Sequence, residues 1–100
     1  MAELLQLEFS APGARAIYDK VNGILGFDPD STAGYPKGLL SHIAGLGADG
    51  ASIAVTEIWD SVKDQEAFLA DKLGAALAAV GAPAPTRNEW YTLLANNQLR

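Results

Sequence analysis

The sequence predicts an α+β fold of order β-α-β-β-α-β, a ferredoxin-like arrangement in which a four-stranded antiparallel sheet carries both helices on one face. Three observations predict it. Leu5, Leu7 and Phe9 alternate with Gln6 and Glu8, the period-two signature of a strand with one buried face. Two stretches, around Ala14 to Leu25 and Phe68 to Val80, repeat apolar residues at helical spacing. Between them lie two strand-like apolar runs joined by a glycine-rich turn.

Taken in order, the first strand is expected over residues 3 to 9. Ser10 can cap the helix that follows, and Pro12 stands where its missing N–H does no harm. Ala14, Ile17, Val21 and Ile24 or Leu25 then form the apolar stripe of a helix over about 11 to 25, with Tyr18 flanking it and Gly26 ending it. Residues 27 to 38 are dense in turn formers, and a connection of that length in so small a fold is often functional. Residues 39 to 44 read as the second strand and 52 to 59 as the third. Ser61 with Asp64 resembles a capping box, and the helix behind it carries Phe68, Leu69, Leu73, Ala76, Leu77 and Val80 on one face. Gly74 is placed to kink or divide that helix. Gly81 ends it, the Ala-Pro-Ala-Pro segment at 82 to 85 cannot be helical, residues 88 to 94 supply a fourth strand, and the polar tail from Asn96 to Arg100 is expected to fray.

The second and third strands carry apolar residues at both parities: Leu39 and Ile43 against Leu40 and Ala44, Ile53 and Val55 against Ala54 and Ile58. A strand apolar on both sides is expected to be buried on both sides. A two-fold homodimer, with two sheets packed face to face, accounts for this.

Composition narrows the chemistry. The chain has 100 residues, 49% of them hydrophobic, so residues 1–100 are expected to form a single domain. There is no cysteine, which excludes thiol nucleophiles, disulfides and Cys-based metal centres. A formal charge of -5 argues against nucleic acid and anionic membrane surfaces, both of which require clustered Lys and Arg. The first residues lack the basic and apolar regions of a signal peptide, and the run from Leu73 to Pro85 falls short of the ~18 residues of a spanning helix; a cytoplasmic location is expected.

Several motifs match only in letters. Residues 45 to 50 spell G-x-G-x-x-G, yet a strand-like segment follows where dinucleotide binding needs a helix, so the glycines read as a hairpin loop. Gly50-Ala51-Ser52-Ile53-Ala54 fails as a nucleophile elbow for the same reason. Asp28-Pro29-Asp30-Ser31-Thr32 has Ala33 and Leu39 where a calcium loop needs Gly and Glu, and no metal or other cofactor is expected.

The segment Glu57-Ile58-Trp59-Asp60-Ser61 followed by Glu66-Ala67-Phe68, with the strand from Gly38 to Gly45 and the Leu73 to Gly81 helix end, resembles the dimeric α+β-barrel superfamily. In particular it is similar to the antibiotic-biosynthesis-monooxygenase and stress-responsive barrel proteins. The likeness spans roughly residues 38 to 94. It implies a homodimer, and chemistry ranging from cofactor-free oxygenases to lactone isomerases, cyclases and proteins without activity. Relatives that degrade haem use a His on the second helix, and residues 62 to 80 contain none.

His42 is the one side chain that titrates near neutrality in its unperturbed state, and its ring faces either the helices or a dimer interior. The expected site is a mostly apolar pocket between sheet and helices. His42 and Tyr35 are its candidate catalytic residues, and Tyr18, Trp59, Leu40 and Trp90 the candidates for touching a hydrophobic aromatic or polyketide-like ligand. Tyr35 lies on the long loop, where it can close over a ligand; Tyr-Pro is equally a common turn element. Proton abstraction by a cofactor-independent monooxygenase, isomerase or cyclase is one reading. A non-catalytic ligand-binding or structural homodimer is the other, favoured by the scarcity of polar groups.

Overall fold

The computed structural model describes residues 2–28, 30–31 and 34–97. Four strands, β1 (Glu3–Ser10), β2 (Leu39–Leu46), β3 (Ser52–Trp59) and β4 (Arg87–Thr92), form one antiparallel sheet in the order β2-β3-β1-β4. The helix α1 (Ala14–Leu25) and a second helical stretch cross between them, giving the α+β ferredoxin-like fold that the sequence predicts.

The alternation in β1 puts Leu5, Leu7 and Phe9 opposite Glu57, Val55 and Ile53 on the helix-covered face. The β1 ladder also claims Ser10, which pairs with Ser52, and Ala11 N–H bonds to the Ala51 carbonyl at 2.9 Å. Ser10 therefore does not cap α1. The chain turns at Pro12-Gly13, and α1 starts at Ala14 behind Gly13, whose φ of 70° suits a residue without Cβ. At the other end Gly26 adopts φ 78° and Phe27 N–H returns to the Asn22 carbonyl at 3.0 Å.

Strand β2 runs two residues further than its apolar run suggests, because Leu46 still pairs with Ile53 before the hairpin closes through Gly47 N–H on the Ser52 carbonyl at 2.8 Å. The glycines of residues 45 to 50 thus serve a strand end and a tight turn. Near its start β2 carries a bulge between Leu39 and Ser41. The bulge lets both Leu39, opposite Trp59, and His42, opposite Glu57, share the helix-covered face. Leu40 is the extra residue, 59% exposed.

Ser61 accepts a hydrogen bond from Asp64 N–H at 3.2 Å and starts α2 (Val62–Phe68). The helix then widens into a π turn (Leu69–Leu73) and continues as α3 (Gly74–Ala79). Gly74 permits this: its N–H reaches the Leu69 carbonyl, and a Cβ there would stand only 2.9 Å from that oxygen. Leu69, at the start of that turn, faces solvent, whereas Phe68 and Ala76 stay buried.

Leu5 and Trp59 are fully buried and form a core with Phe68, onto which Leu25, Phe27, Leu39, Leu73 and Trp90 pack. Each such side chain contributes about 1.5–3 kcal/mol by leaving water. A second cluster joins Ala14 to Ile53 and Val55. The opposite sheet face carries Leu4, Ile43, Ile58 and Tyr91 among Gln6, Ser41, Thr56 and Glu89; Ile43 there is 64% exposed. Among the described residues no helix is long and apolar enough to cross a membrane.

Candidate functional site

Direct cross-strand pairing sets His42 against Glu57, and antiparallel partners stand close enough for their side chains to meet. His42 Nδ1 lies 2.7 Å from Glu57 Oε2. The other carboxylate oxygen, Oε1, accepts the indole N–H of Trp59 at 3.0 Å. At the far edge of the imidazole, Nε2 lies 2.8 Å from the Tyr18 hydroxyl, which α1 carries over the sheet. The His42 and Glu57 side chains are only 13% and 11% exposed. Since the indole can only donate, the pattern assigns the carboxylate as double acceptor and Nδ1–H as donor, leaving Nε2 to accept the Tyr18 proton. Should the proton pass to Nε2, the imidazolium is held by the carboxylate and the Tyr18 oxygen accepts in turn.

Aromatic rings surround the imidazole. Tyr18 lies nearly parallel to it at 6.2 Å between centroids, Phe27 meets it edge-on at 6.5 Å, and Tyr35 stands 5.8 Å away. Burial raises the Tyr35 phenol above the usual tyrosine value, and Tyr18, Asp28 and Glu57 push it in the same direction. Tyr35 packs its ring on Phe27 at 4.3 Å, and Phe27 stacks on Phe68 at 5.9 Å.

Between sheet and helices lies a cleft of about 100 Å³, open on one side. Its walls are apolar, with Leu7 and Val55 from the sheet, Ile17 and Val21 from α1, and Phe68 and Leu73 from the second helical stretch. The polar side chains among its lining residues are Tyr18, Asn22, His42 and Glu57.

The structure thus brings His42 and Tyr18 together at the cleft. Tyr35 stands beside His42 behind Phe27 and is not a wall. Trp59 is buried behind Glu57, and Trp90 packs on the Leu5–Trp59 core across from Leu5; neither lines the cleft. Leu40 sits exposed at the bulge, away from it. Phe27 and Asn22 were not singled out from sequence, and Glu57 entered only through the Glu57-to-Phe68 segment, not as a site residue. Glu57 was within reach, because a hairpin that sets Gly47 opposite Ser52 pairs 46 with 53 and, four residues back, 42 with 57. Asn22 follows Tyr18 by four residues and so shares its helix face. In the acidic loop, Asp28 Oδ1 accepts Asp30 N–H at 2.8 Å, an ordinary Asx turn; Pro29, Thr32 and Ala33 lie outside the described residues. Among the described residues no group of three or more His, Asp or Glu side chains is placed to hold a metal ion.

No protein-family profile matches the chain, and no curated protein matches it. Solved structures do. A candidate antibiotic biosynthesis monooxygenase from Chloroflexus aurantiacus superimposes with a TM-score of 0.70 at 22% identity, covering 98% of each chain. The two chains share one fold. The Mycobacterium tuberculosis protein Rv0793 shares this fold at TM-score 0.70 and 14% identity, over 98% of this chain and 100% of its own. A monooxygenase from the ActVA-Orf6 gene of Streptomyces coelicolor, solved in complex with the ligand nanaomycin D, does so at TM-score 0.64 and 18% identity, over 99% and 93%.

Proposed function

We propose that the chain is a cofactor-independent enzyme of the monooxygenase, isomerase or cyclase type, a cytoplasmic homodimer that removes a proton from a hydrophobic aromatic or polyketide-like molecule. The observation that carries this reading is the Tyr18–His42–Glu57 hydrogen-bond chain in the wall of an apolar cleft. A ligand's acidic hydroxyl or C–H gives its proton to the Tyr18 oxygen as the Tyr18 proton moves to Nε2. The ligand anion then faces an imidazolium stabilised by the carboxylate. Such relays depend on a base oriented by a third group. The anion reacts with dioxygen, is reprotonated at another carbon, or attacks a carbonyl of the same molecule; the shared first step needs only the chain's own groups.

Size limits what sits inside. An engineered cavity of roughly 150 Å³ takes one benzene ring. A cleft of about 100 Å³ that opens to solvent therefore seats a single ring at most, with the rest of a larger ligand projecting through the opening. The Streptomyces coelicolor neighbour, a monooxygenase in complex with the ligand nanaomycin D, supports a ligand-binding role for this fold.

Deuterium exchange at the acidic CH2 of 2-tetralone, followed by NMR, tests the proton step. His42→Gln and Tyr18→Phe are expected to slow it by about 10²- to 10⁴-fold, the usual contribution of a positioned acid–base group. Folded, dimeric variants that exchange at the wild-type rate would show that the protein only binds or assembles. Oxygen uptake with anthrone then separates the oxygenase from the other two branches.

A further inference from the structure

We infer that Asn22 is the second polar contact of this cleft, its carboxamide binding an oxygen of the ligand, so that the site selects neutral aromatic molecules carrying one acidic hydrogen and one separate hydrogen-bond acceptor. The inference rests on the proton-transfer reading for the first of those two features only. Of the polar side chains lining the cleft, Tyr18, His42 and Glu57 occupy one another. Glu57 is further committed to Trp59. Asn22 alone of the four keeps its side chain unengaged, hydrogen-bonding to no described residue. Its main-chain carbonyl ends α1 by accepting Phe27 N–H at 3.0 Å, so the helix terminus does not use the carboxamide.

Placement favours a ligand role. Asn22 lies one turn beyond Tyr18 on α1, and the intervening helix face is Val21, which is buried, with Leu25 beyond. An amide at the border of an apolar wall presents two N–H donors and one acceptor to whatever enters. Among the described residues no Lys or Arg lines the cleft, while the Glu57 carboxylate does. A carboxylate or phosphate ligand would meet like charge with no counter-ion, whereas a neutral carbonyl would meet the Asn22 N–H. An aromatic ketone bearing a phenol fits both polar points.

The test is calorimetric titration of toluene, phenol, 3- and 4-hydroxyacetophenone and benzoate against wild type, Asn22→Leu and Asn22→Asp. Wild type should bind at least one hydroxyacetophenone isomer about three- to tenfold more tightly than phenol, the effect of one net hydrogen bond, and benzoate more weakly than phenol. Both variants, checked for fold by circular dichroism, should lose that preference, and Asn22→Leu should keep its phenol affinity. If neither isomer outbinds phenol in wild type, or the preference survives in a folded variant, the assignment is wrong. The proton-transfer reading fails separately, if Tyr18→Phe and His42→Gln leave the 2-tetralone exchange unchanged while the Asn22 effect persists.

Discussion

His42 and Glu57 face each other across β2 and β3, Nδ1 to Oε2 at 2.7 Å, and the carboxylate has no oxygen to spare because Trp59 holds the other. Glu57→Gln keeps the shape, with its oxygen accepting the Trp59 indole, but its NH2 group then donates to Nδ1 and forces the imidazole proton onto Nε2, which donates to the Tyr18 oxygen instead of accepting from it. The expected cost is about 1 kcal/mol of stability, the difference between hydrogen bonds to a charged and to a neutral acceptor, together with a loss of the exchange activity, because Nε2 no longer accepts the Tyr18 proton. Urea denaturation and the 2-tetralone assay check the two effects.

Trp59→Phe removes the indole N–H and leaves Oε1 without its donor. Stability should fall by about 1.5–3 kcal/mol, as for a lost hydrogen bond to a charged group. The protein contains a single histidine, so its ¹⁵N spectrum reports the tautomer without ambiguity. The Nδ1–H form should dominate in wild type and lose population in Trp59→Phe as the carboxylate loosens.

Tyr35 gives an alkaline signature. Its phenol is raised first by burial, then by Tyr18, Asp28 and Glu57, so the folded state holds that proton more tightly than the unfolded chain. The resulting stability is fully present below the ordinary phenol value of about 10 and is lost as pH rises through the raised one. Tyr35→Phe should flatten the decline in stability above about pH 10. It should also abolish the phenol that titrates above the ordinary value in the ultraviolet absorbance titration.

Gly38 stands at φ 89°, and a Cβ on it would fall 2.6 Å from Cβ of Asp64, the residue whose N–H Ser61 caps. Gly38→Ala should therefore destabilise by about 1–3 kcal/mol through backbone strain and displacement of the α2 start. Chemical denaturation measures it. Ala at Gly23, where a Cβ meets nothing within 4 Å, is the control expected to be neutral or stabilising.

The proposed homodimer makes Ile43, 64% exposed on the uncovered sheet face, an interface residue. Wild type is expected to sediment as a dimer, and Ile43→Glu as a monomer of unchanged far-ultraviolet circular dichroism. A monomeric wild type at tens of micromolar would end the shared-interior idea.

The order of elements, the β3 boundaries and the helix-facing side of β1 were legible in the sequence, because they follow from local periodicity and from glycine and proline positions. His42 and Tyr18 stood out by residue type, the first as a candidate catalytic group and the second as a candidate ligand contact, and the structure brings the two within hydrogen-bond distance. Long-range pairing decided the rest. The bulge at Leu40 turned that side chain out to solvent, and nothing in Leu39-Leu40-Ser41 announces it. The β1 ladder took Ser10 from the helix, and Leu69, at the start of the π turn, points out to solvent. What only the tertiary structure supplied is the junction of a strand pair with a helix crossing it. The β2–β3 register sets the carboxylate against the imidazole, and α1 lays the Tyr18 hydroxyl and the Asn22 amide along the same cleft; contacts between residues 15 and 24 positions apart depend on packing, which local propensity does not encode.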